Sequence, residues 1–435
     1  MFQYTTDEPV YALATAYAPS ALAVIRASGE NSLSLLAPFF KGRLSSSPSN
    51  TAVYGRIVDQ EGKTVDEVIV IKYEKGHGYT SEEAFEIMSH GSLPVIRKIS
   101  SLLEKAGFRR ALGGEFTYRA FMHGKMDLTE AEAVEELVKA KGERGRMDAV
   151  ERLSGSVKRE ALRIKDEIVN ILASLEVQLD YGEDEIIEDW VFPVGRVEEL
   201  IDRLKMMSAS YRSERLYTEG AKVVLAGAAN AGKSSLFNAV LRENRAIVSP
   251  VAGTTRDYIE AECELDGIPV RLFDTAGLRQ GGDEIEREGI SRSERMIREA
   301  DLVVYVLDIG EKEPDEKTPG TIYVHSKRDI TSSDGISFSS LTGEGVDAVI
   351  GAVTSALVSE RGTFSSVPVI ESRRQKEKID ETAEALSDAM ANRDMSVDII
   401  ALYFQSALEA LGELTGEITS EDILDELFSS FCLGK

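Results

Sequence analysis

Cysteine is nearly absent from this chain of 435 residues, which has two, Cys263 and Cys432. Two thiols cannot build a disulfide framework, and neither has a partner at metal-ligand spacing, so a cross-bridged secreted fold and a structural zinc site are excluded. No apolar run reaches bilayer length, and the first residues lack a basic segment followed by an apolar one. No membrane span and no export signal are therefore expected, and the expected setting is cytoplasmic. Positive charge is also short: 50 Lys and Arg stand against 75 Asp and Glu, a formal net charge of −25. That excludes a protein held to nucleic acid by a basic surface overall, although a local patch can sit on an acidic chain. Residues 1–120 carry 13 basic and 13 acidic side chains, so the acidity lies in the remainder, and RNA would be repelled least by the N-terminal part. Internal repeats and low-complexity tails are lacking as well.

What is present is an ordinary globular composition, 43% apolar and 29% charged, on a chain too long for one core; about three domains are expected. Residues 1–120 read as a small α+β domain. Tyr11–Thr15, Ala21–Arg26, Val65–Tyr73 and Ala84–Met88 are strand candidates, and Ser32–Phe39 and Leu93–Ala106 have helical spacing, the latter closed by Gly107. Two dense stretches, Tyr79–Glu83 running to His90-Gly91 and Gly113–Leu128, resemble neither a helix face nor a plain strand. Long helices follow. Thr129 is the expected N-cap of a helix through Ala133–Lys141, and apolar residues at three- and four-residue spacing predict one helix from Met147 to about Tyr181. Helical pattern returns at Val197–Tyr211, Glu371–Met390, Ser396–Leu411 and Glu421–Phe428.

Between the helical segments lies the stretch that organises the chain. Gly227-Ala228-Ala229-Asn230-Ala231-Gly232-Lys233-Ser234 follows the apolar run Lys222–Ala226 and precedes a helical pattern from Ser235. Strand, glycine-rich turn and helix make a phosphate loop: backbone N–H groups wrap a phosphate, the helix N-terminus reinforces them, Lys233 adds positive charge, and Ser234 offers a hydroxyl to magnesium. Further GTPase elements arrive in order. Gly253-Thr254-Thr255-Arg256-Asp257 fits a first switch, with Thr255 completing the magnesium shell. Asp274-Thr275-Ala276-Gly277 would place a carboxylate near magnesium and a glycine N–H on the γ-phosphate. After the strand Thr321–His325, Ser326-Lys327-Arg328-Asp329 stands where an Asn-Lys-x-Asp element reads the base. Asp329 can accept from the ring N–H and exocyclic amine of guanine, a donor pair that adenine lacks. Ser326 replaces the amide with a shorter hydroxyl, which should weaken the base pocket or its link to the phosphate loop. Ser339, Ser340 and Leu341 fill the last base-contacting loop.

The glutamine that many small GTPases use to orient water is missing, its place taken by Leu278, and there is no evident arginine finger. A monovalent cation held by Asn230 and switch carbonyls could supply the positive charge, and Glu284, Glu286 or Glu288 could hold the water.

At this point the chain resembles the MnmE/TrmE family of tRNA-modifying GTPases over nearly its full length. The resemblance is carried by Gly114-Glu115-Phe116-Thr117, Arg119-Ala120-Phe121, Gly124-Lys125-x-Asp127-Leu128, Asn230–Ser234, Gly253–Asp257 and Phe431-Cys432-Leu433-Gly434-Lys435. It implies a multidomain α/β and all-α fold: a tetrahydrofolate-binding α+β domain (1–120), a helical bundle from two segments (121–218 and 364–435), and an inserted Ras-like P-loop GTPase domain (219–363). It further implies potassium held by Asn230, Ser249, Val251 and Thr254, magnesium held by Ser234 and Thr255, Glu286 positioning water, and a folate site of Arg26, Glu86, Lys125 and Lys435. Cys432 falls on the family's reaction-essential cysteine. The implied activity is GTP hydrolysis driving a conformational cycle, with a one-carbon tetrahydrofolate and a flavin-dependent MnmG-type partner. Together they would place an aminomethyl-type group on C5 of the wobble uridine of certain tRNAs, in a homodimer. Three departures from the family pattern stand out: the first hairpin is Ala18–Ala23 rather than glycine-rich, Ser92 replaces a glycine, and Ser326 replaces the base-reading Asn. The competing reading is a regulatory or RNA-assembly GTPase without one-carbon chemistry, which would not need Glu86, Lys125, Cys432 and Lys435. A folate-dependent transferase without nucleotide turnover is disfavoured by Lys233, Ser234, Thr255 and Asp274.

Overall fold

The computed structural model describes residues 4–180, 191–218, 220–243, 259–274, 295–308, 310–314, 316–330, 335–358 and 367–434. The chain divides into two compact units: Met1–Glu135 with Ala161–Ile168 and Gln405–Lys435, and Glu136–Glu160 with Val169–Phe404.

The first unit is built on a seven-stranded sheet. Its strands are β1 (Val10–Leu13), β2 (Ser20–Ser28), β3 (Phe40–Lys41), β4 (Thr51–Val58), β5 (Thr64–Tyr73), β6 (Ala84–Gly91) and β7 (Arg109–Arg110), in the order β3-β4-β5-β6-β2-β1-β7. Only the β1–β7 pair is parallel. The period of two in β2 decides which residues meet. Ile25 and Ala27 enter a core with Leu36, Ile99, Leu102 and Leu103 from the helices Ser32–Leu36 and Leu93–Ala106, while Arg26 and Ser28 take the opposite face. Strands β3, β4 and β7 escape the sequence reading. In β4 the buried positions Val53 and Ile57 flank Gly55, against which the Phe40 ring lies so closely that a Cβ there would come within 2.5 Å of it.

At β1 the second face of this sheet packs on the helix Glu115–Met122, whose Phe116 meets Val10, Ala12 and Ala111. This corrects the expectation that Gly113–Leu128 is unlike a helix. Glu115 and Arg119, one turn apart and fully buried, pair with each other at 3.0 Å, so no polar stripe marks a solvent face. Two further corrections concern helix ends. The N-cap of the helix Leu128–Lys139 is Asp127: its Oδ1 accepts from the Glu130 N–H, while Glu130 returns a bond to the Asp127 N–H, both at 2.8 Å. Thr129 instead donates its hydroxyl to that carboxylate. The single helix predicted from Met147 is two, Glu143–Leu153 and Ser156–Asp180, broken at Gly155, whose φ of 82° a helix cannot continue. Tyr181, its predicted end, lies outside the described residues.

The C-terminal segment belongs to the same unit. Phe428, from the helix Glu421–Ser429, meets the rings of Tyr4, Tyr118 and Phe121 at centroid distances of 6.1, 5.6 and 6.4 Å. Beyond it Leu433 forms an antiparallel bridge with Gly113.

The second unit holds a five-stranded sheet of β8 (Ala221–Gly227), β9 (Ile259–Leu265), β10 (Ile268–Asp274), β11 (Leu302–Leu307) and β12 (Thr321–His325), in the order β12-β11-β8-β10-β9. All pairs are parallel except β9 with β10. The helices Lys233–Glu243 and Val346–Val358 bury Leu236, Phe237, Val240, Val349 and Val353 against it. In this unit the helices Val194–Thr218 and Arg373–Ala391 pack together. Buried Arg152 donates to Glu136 at 2.7 Å and to Glu371 at 2.5 Å, tying segments on either side of the nucleotide-type sheet in sequence.

Candidate functional site

The phosphate loop starts where the parallel strand β8 ends. Gly227 has a φ of 133°, and a Cβ there would lie 2.3 Å from the Val306 carbonyl oxygen. The turn therefore tolerates only glycine. Asn230, exposed, sits in the left-handed region at φ 62°, and Gly232 follows at φ 102° with Ala231 buried between them. Lys233 opens the helix; its buried ammonium donates to the carbonyls of Gly227 at 3.0 Å and Ala228 at 2.6 Å, which holds a positive charge inside the loop. Ser234 donates its hydroxyl to Asp274 Oδ2 at 2.5 Å, and Ser235 is exposed beside it. Asp274 ends β10, which pairs with β8 with Asp274 opposite Leu225, so sheet register alone brings this carboxylate to the loop. A hydroxyl and a buried carboxylate in contact are hard oxygen donors of the kind magnesium takes.

The two base-reading stretches also come together. His325 N–H donates to Ile336 O, Phe338 N–H to His325 O, and Arg328 N–H to Phe338 O, which laces Ser326–Asp329 to the segment ending at Ser339. Buried Ser339 accepts the N–H groups of Leu341 and Thr342 on its hydroxyl, each at 3.3 Å, and shapes the loop that carries Ser340 and the exposed Leu341. Lys327, at φ 60°, reaches Asp308 at 2.6 Å, a partner that sequence reasoning missed because it lies 19 residues away after β11. Asp329 is exposed, and Ser326 is buried with its hydroxyl donating to Leu307 O at 3.2 Å. Ser249, Val251, Thr254, Thr255, Thr275, Ala276, Gly277, Glu284, Glu286 and Glu288 lie outside the described residues, as does Lys435.

The first unit carries a cavity of about 320 Å³ on the Arg26 face of its sheet, lined among others by Arg26, Tyr73, Tyr79, Glu86 and Phe116. Cross-strand register sets Arg26 opposite Glu86, and Arg26 Nε donates to Glu86 Oε1 at 2.8 Å. The guanidinium lies 5.6 Å from the Tyr79 ring centroid and 5.7 Å from that of Phe116, two ring contacts that sequence spacing does not reveal. Burial pushes the Tyr79 hydroxyl pKa upward, and its hydrogen bond to Thr117 at 2.9 Å partly offsets that. One Arg26 N–H also reaches the Gly434 carbonyl at 3.1 Å, so the C-terminal residues meet this cavity's arginine. Cys432 is exposed in that segment, and its carbonyl accepts from Gly114 N–H at 3.4 Å. Lys125 is exposed on the turn after the helix Glu115–Met122 and is not among the residues that line the cavity. The cavity thus offers an arginine–carboxylate pair set among aromatic rings.

Comparison with known proteins identifies the family. The MnmE helical domain family matches residues 128–432, and the family described as GTP-binding protein TrmE N-terminus matches residues 9–125. The chain is 38% identical to the tRNA modification GTPase MnmE of Treponema denticola over 469 aligned residues, covering 100% of this chain and 99% of that protein. The protein of the same name from Borreliella burgdorferi is 38% identical, covering 99% of each, and that of Aquifex aeolicus is 35% identical, covering 98% of this chain and 100% of its own. With these matches along its whole length, the chain belongs to the MnmE/TrmE family of tRNA modification GTPases.

Proposed function

We propose that this chain is a potassium-activated GTPase that acts with a flavin-dependent MnmG-type partner. Together they add an aminomethyl or carboxymethylaminomethyl group to C5 of the wobble uridine, position 34, of certain tRNAs. GTP hydrolysis in tRNA modification follows from family membership; the chemistry and partners are the further step. What carries the reading is the mutual placement of Lys233, Ser234 and Asp274 around the phosphate loop. Ser234, with Thr255, would hold magnesium, which supplies charge neutralisation between the β- and γ-phosphates. Potassium would be held by Asn230 with Ser249, Val251 and Thr254, in place of the missing arginine finger, while Glu286 positions water. Ala231, Gly232, Ser235, Thr275, Ala276 and Gly277 complete the phosphate side, and Ser326, Lys327, Asp329, Ser339, Ser340 and Leu341 the guanine side.

In the first unit, Arg26 and Glu86, with Lys125 and Lys435, would take a one-carbon tetrahydrofolate of the 5-formyl or 5,10-methylene type. Cys432 would act on the modified base. The protein would work as a cytoplasmic homodimer, its domains being 1–120, 121–218, 219–363 and 364–435. The test is GTP hydrolysis in potassium and in sodium at equal ionic strength, beside an Asn230→Ala variant. A potassium preference that vanishes in the variant is expected. Equal rates in both salts overturn the cation assignment and favour a regulatory GTPase.

A further inference from the structure

Beneath the cavity lies a chain of buried polar groups that the preceding reading does not use. Ser28, two residues after Arg26 on the same face of β2, and Thr80 both line the cavity and are almost wholly buried. The Ser28 and Thr80 hydroxyl oxygens lie 2.6 Å apart, and Ser28 Oγ lies 2.7 Å from Glu82 Oε2. Glu82 is paired with fully buried Arg119, whose Nη1 lies 3.1 Å and 3.2 Å from its two oxygens. Arg119 is fixed in turn by Glu115 and by the carbonyls of Thr5 and Glu8.

The directions of the hydrogens follow by elimination. A carboxylate only accepts, so the one hydroxyl hydrogen of Ser28 goes to Glu82. Ser28 then has none to give Thr80, so Thr80 donates to Ser28 and accepts, at 3.3 Å, from the Glu82 backbone N–H. Both hydroxyl hydrogens are consumed within the relay. To any occupant Ser28 and Thr80 can offer lone pairs and no hydrogen. The Glu86 carboxylate on the neighbouring strand is likewise an acceptor, and Arg26 spends Nε–H and one Nη2–H on it and an Nη1–H on Gly434, keeping one hydrogen on each Nη at its own end of the cavity.

We infer that Glu82, acting through Ser28 and Thr80, sets the hydrogen-bond polarity of the Ser28–Thr80 end of this cavity, so that this end takes a planar heterocycle by an edge bearing N–H and NH2 donors. Tyr73, Tyr79 and Phe116 supply the flat walls that such a ring stacks on. Glu82 is a positioning residue here, since it acts on the ligand only through two hydroxyls. Buried recognition of this kind is selective, because an analogue without the donor leaves desolvated acceptors unpaired. The inference rests on the folate reading for its choice of probe: a 2-aminopterin edge presents such donors.

The experiment measures equilibrium binding of 5-formyltetrahydrofolate and of its 2-desamino analogue to the full-length protein and to a Glu82→Gln variant. The amide introduced by Glu82→Gln donates to Ser28, which turns the relay around and aims a hydroxyl hydrogen toward the cavity. The expected result is an affinity loss of about tenfold for the 2-amino ligand and less than about twofold for the analogue, so the preference between them collapses. Thr80→Val, which removes the oxygen at nearly constant volume, is expected to do the same, and it decides the matter if Glu82→Gln lowers the melting temperature markedly. An unchanged ratio between the ligands in both variants, or equal loss of both ligands, overturns the polarity assignment while leaving the folate reading standing. A wild-type protein that binds neither ligand overturns both.

Discussion

The Ser234 hydroxyl donates to the Asp274 carboxylate at 2.5 Å, joining the first turn after the phosphate loop to the end of β10. Asp274 is fully buried, and β10 fixes it by register rather than by a mobile loop. A carboxylate so placed would hold the serine ready for the proposed magnesium and add charge beside it. Asp274→Ala is expected to lower the GTP turnover number by about a hundredfold or more and to raise the magnesium needed for half-maximal rate. Magnesium titration of steady-state hydrolysis checks this; an unaltered magnesium requirement would refute the assignment.

Arg152 is the second residue whose loss should be severe. It is buried and donates to Glu136 and Glu371, 219 residues away in sequence from the latter. Removing the cation takes a buried partner from two carboxylates at once, so Arg152→Met is expected to destabilise by about 3–5 kcal/mol. Adding Glu136→Gln and Glu371→Gln to that variant should restore much of the loss, because the charges left without their buried cation are then gone. Urea unfolding followed by circular dichroism reads both effects.

The phosphate loop is legible in the sequence because all its parts are contiguous: an apolar strand, three turn residues of special backbone geometry, and a helix start. Glu86 opposite Arg26 is legible only as two candidates, since their pairing is a matter of strand register across 60 residues. Arg152 with Glu371 is not legible at all, because the partner is chosen by packing of distant helices. The helix Glu115–Met122 was hidden for a different reason. Its charges, Glu115 and Arg119, point into the protein, so the amphipathic period that announces most helices is absent. Asp127 lost its cap to Thr129 in the sequence reading because both residue types cap helices, and only the returning bond from Glu130 distinguishes them.

Gly114 should be irreplaceable for a local reason. It sits at φ 69° immediately before the helix Glu115–Met122, and a Cβ there would lie 2.5 Å from the Phe428 carbonyl oxygen. Gly114→Ala is expected to cost about 1–3 kcal/mol and to loosen the C-terminal segment that carries Cys432. Carboxypeptidase digestion should then remove the last residues faster than in the wild type, while GTP hydrolysis by the second unit stays near the wild-type rate. Unchanged digestion would mean that the bridge between Gly113 and Leu433 contributes little to holding the segment.

The two cysteines give a pH-resolved prediction. Cys263 lies buried in β9, and desolvation pushes its thiol from 9.0 up to about 11, whereas Cys432 is exposed. The thiolate is the reacting form, so at pH 8 a maleimide should modify native protein once, at Cys432, with Cys263 labelled only after unfolding. The same shift has a stability consequence of definite sign. The folded state holds the Cys263 proton more tightly than the unfolded state, so this contribution is fully present below pH 9 and is lost as the pH rises through about 11. Between pH 8 and pH 11 the wild type should lose on the order of 1–2 kcal/mol more than a Cys263→Ala variant, which has no thiol to ionise. Parallel urea titrations at the two pH values measure the difference. Equal losses in the two proteins would show that Cys263 ionises as readily in the core as in the unfolded chain, and double labelling of the native protein at pH 8 would show the same independently.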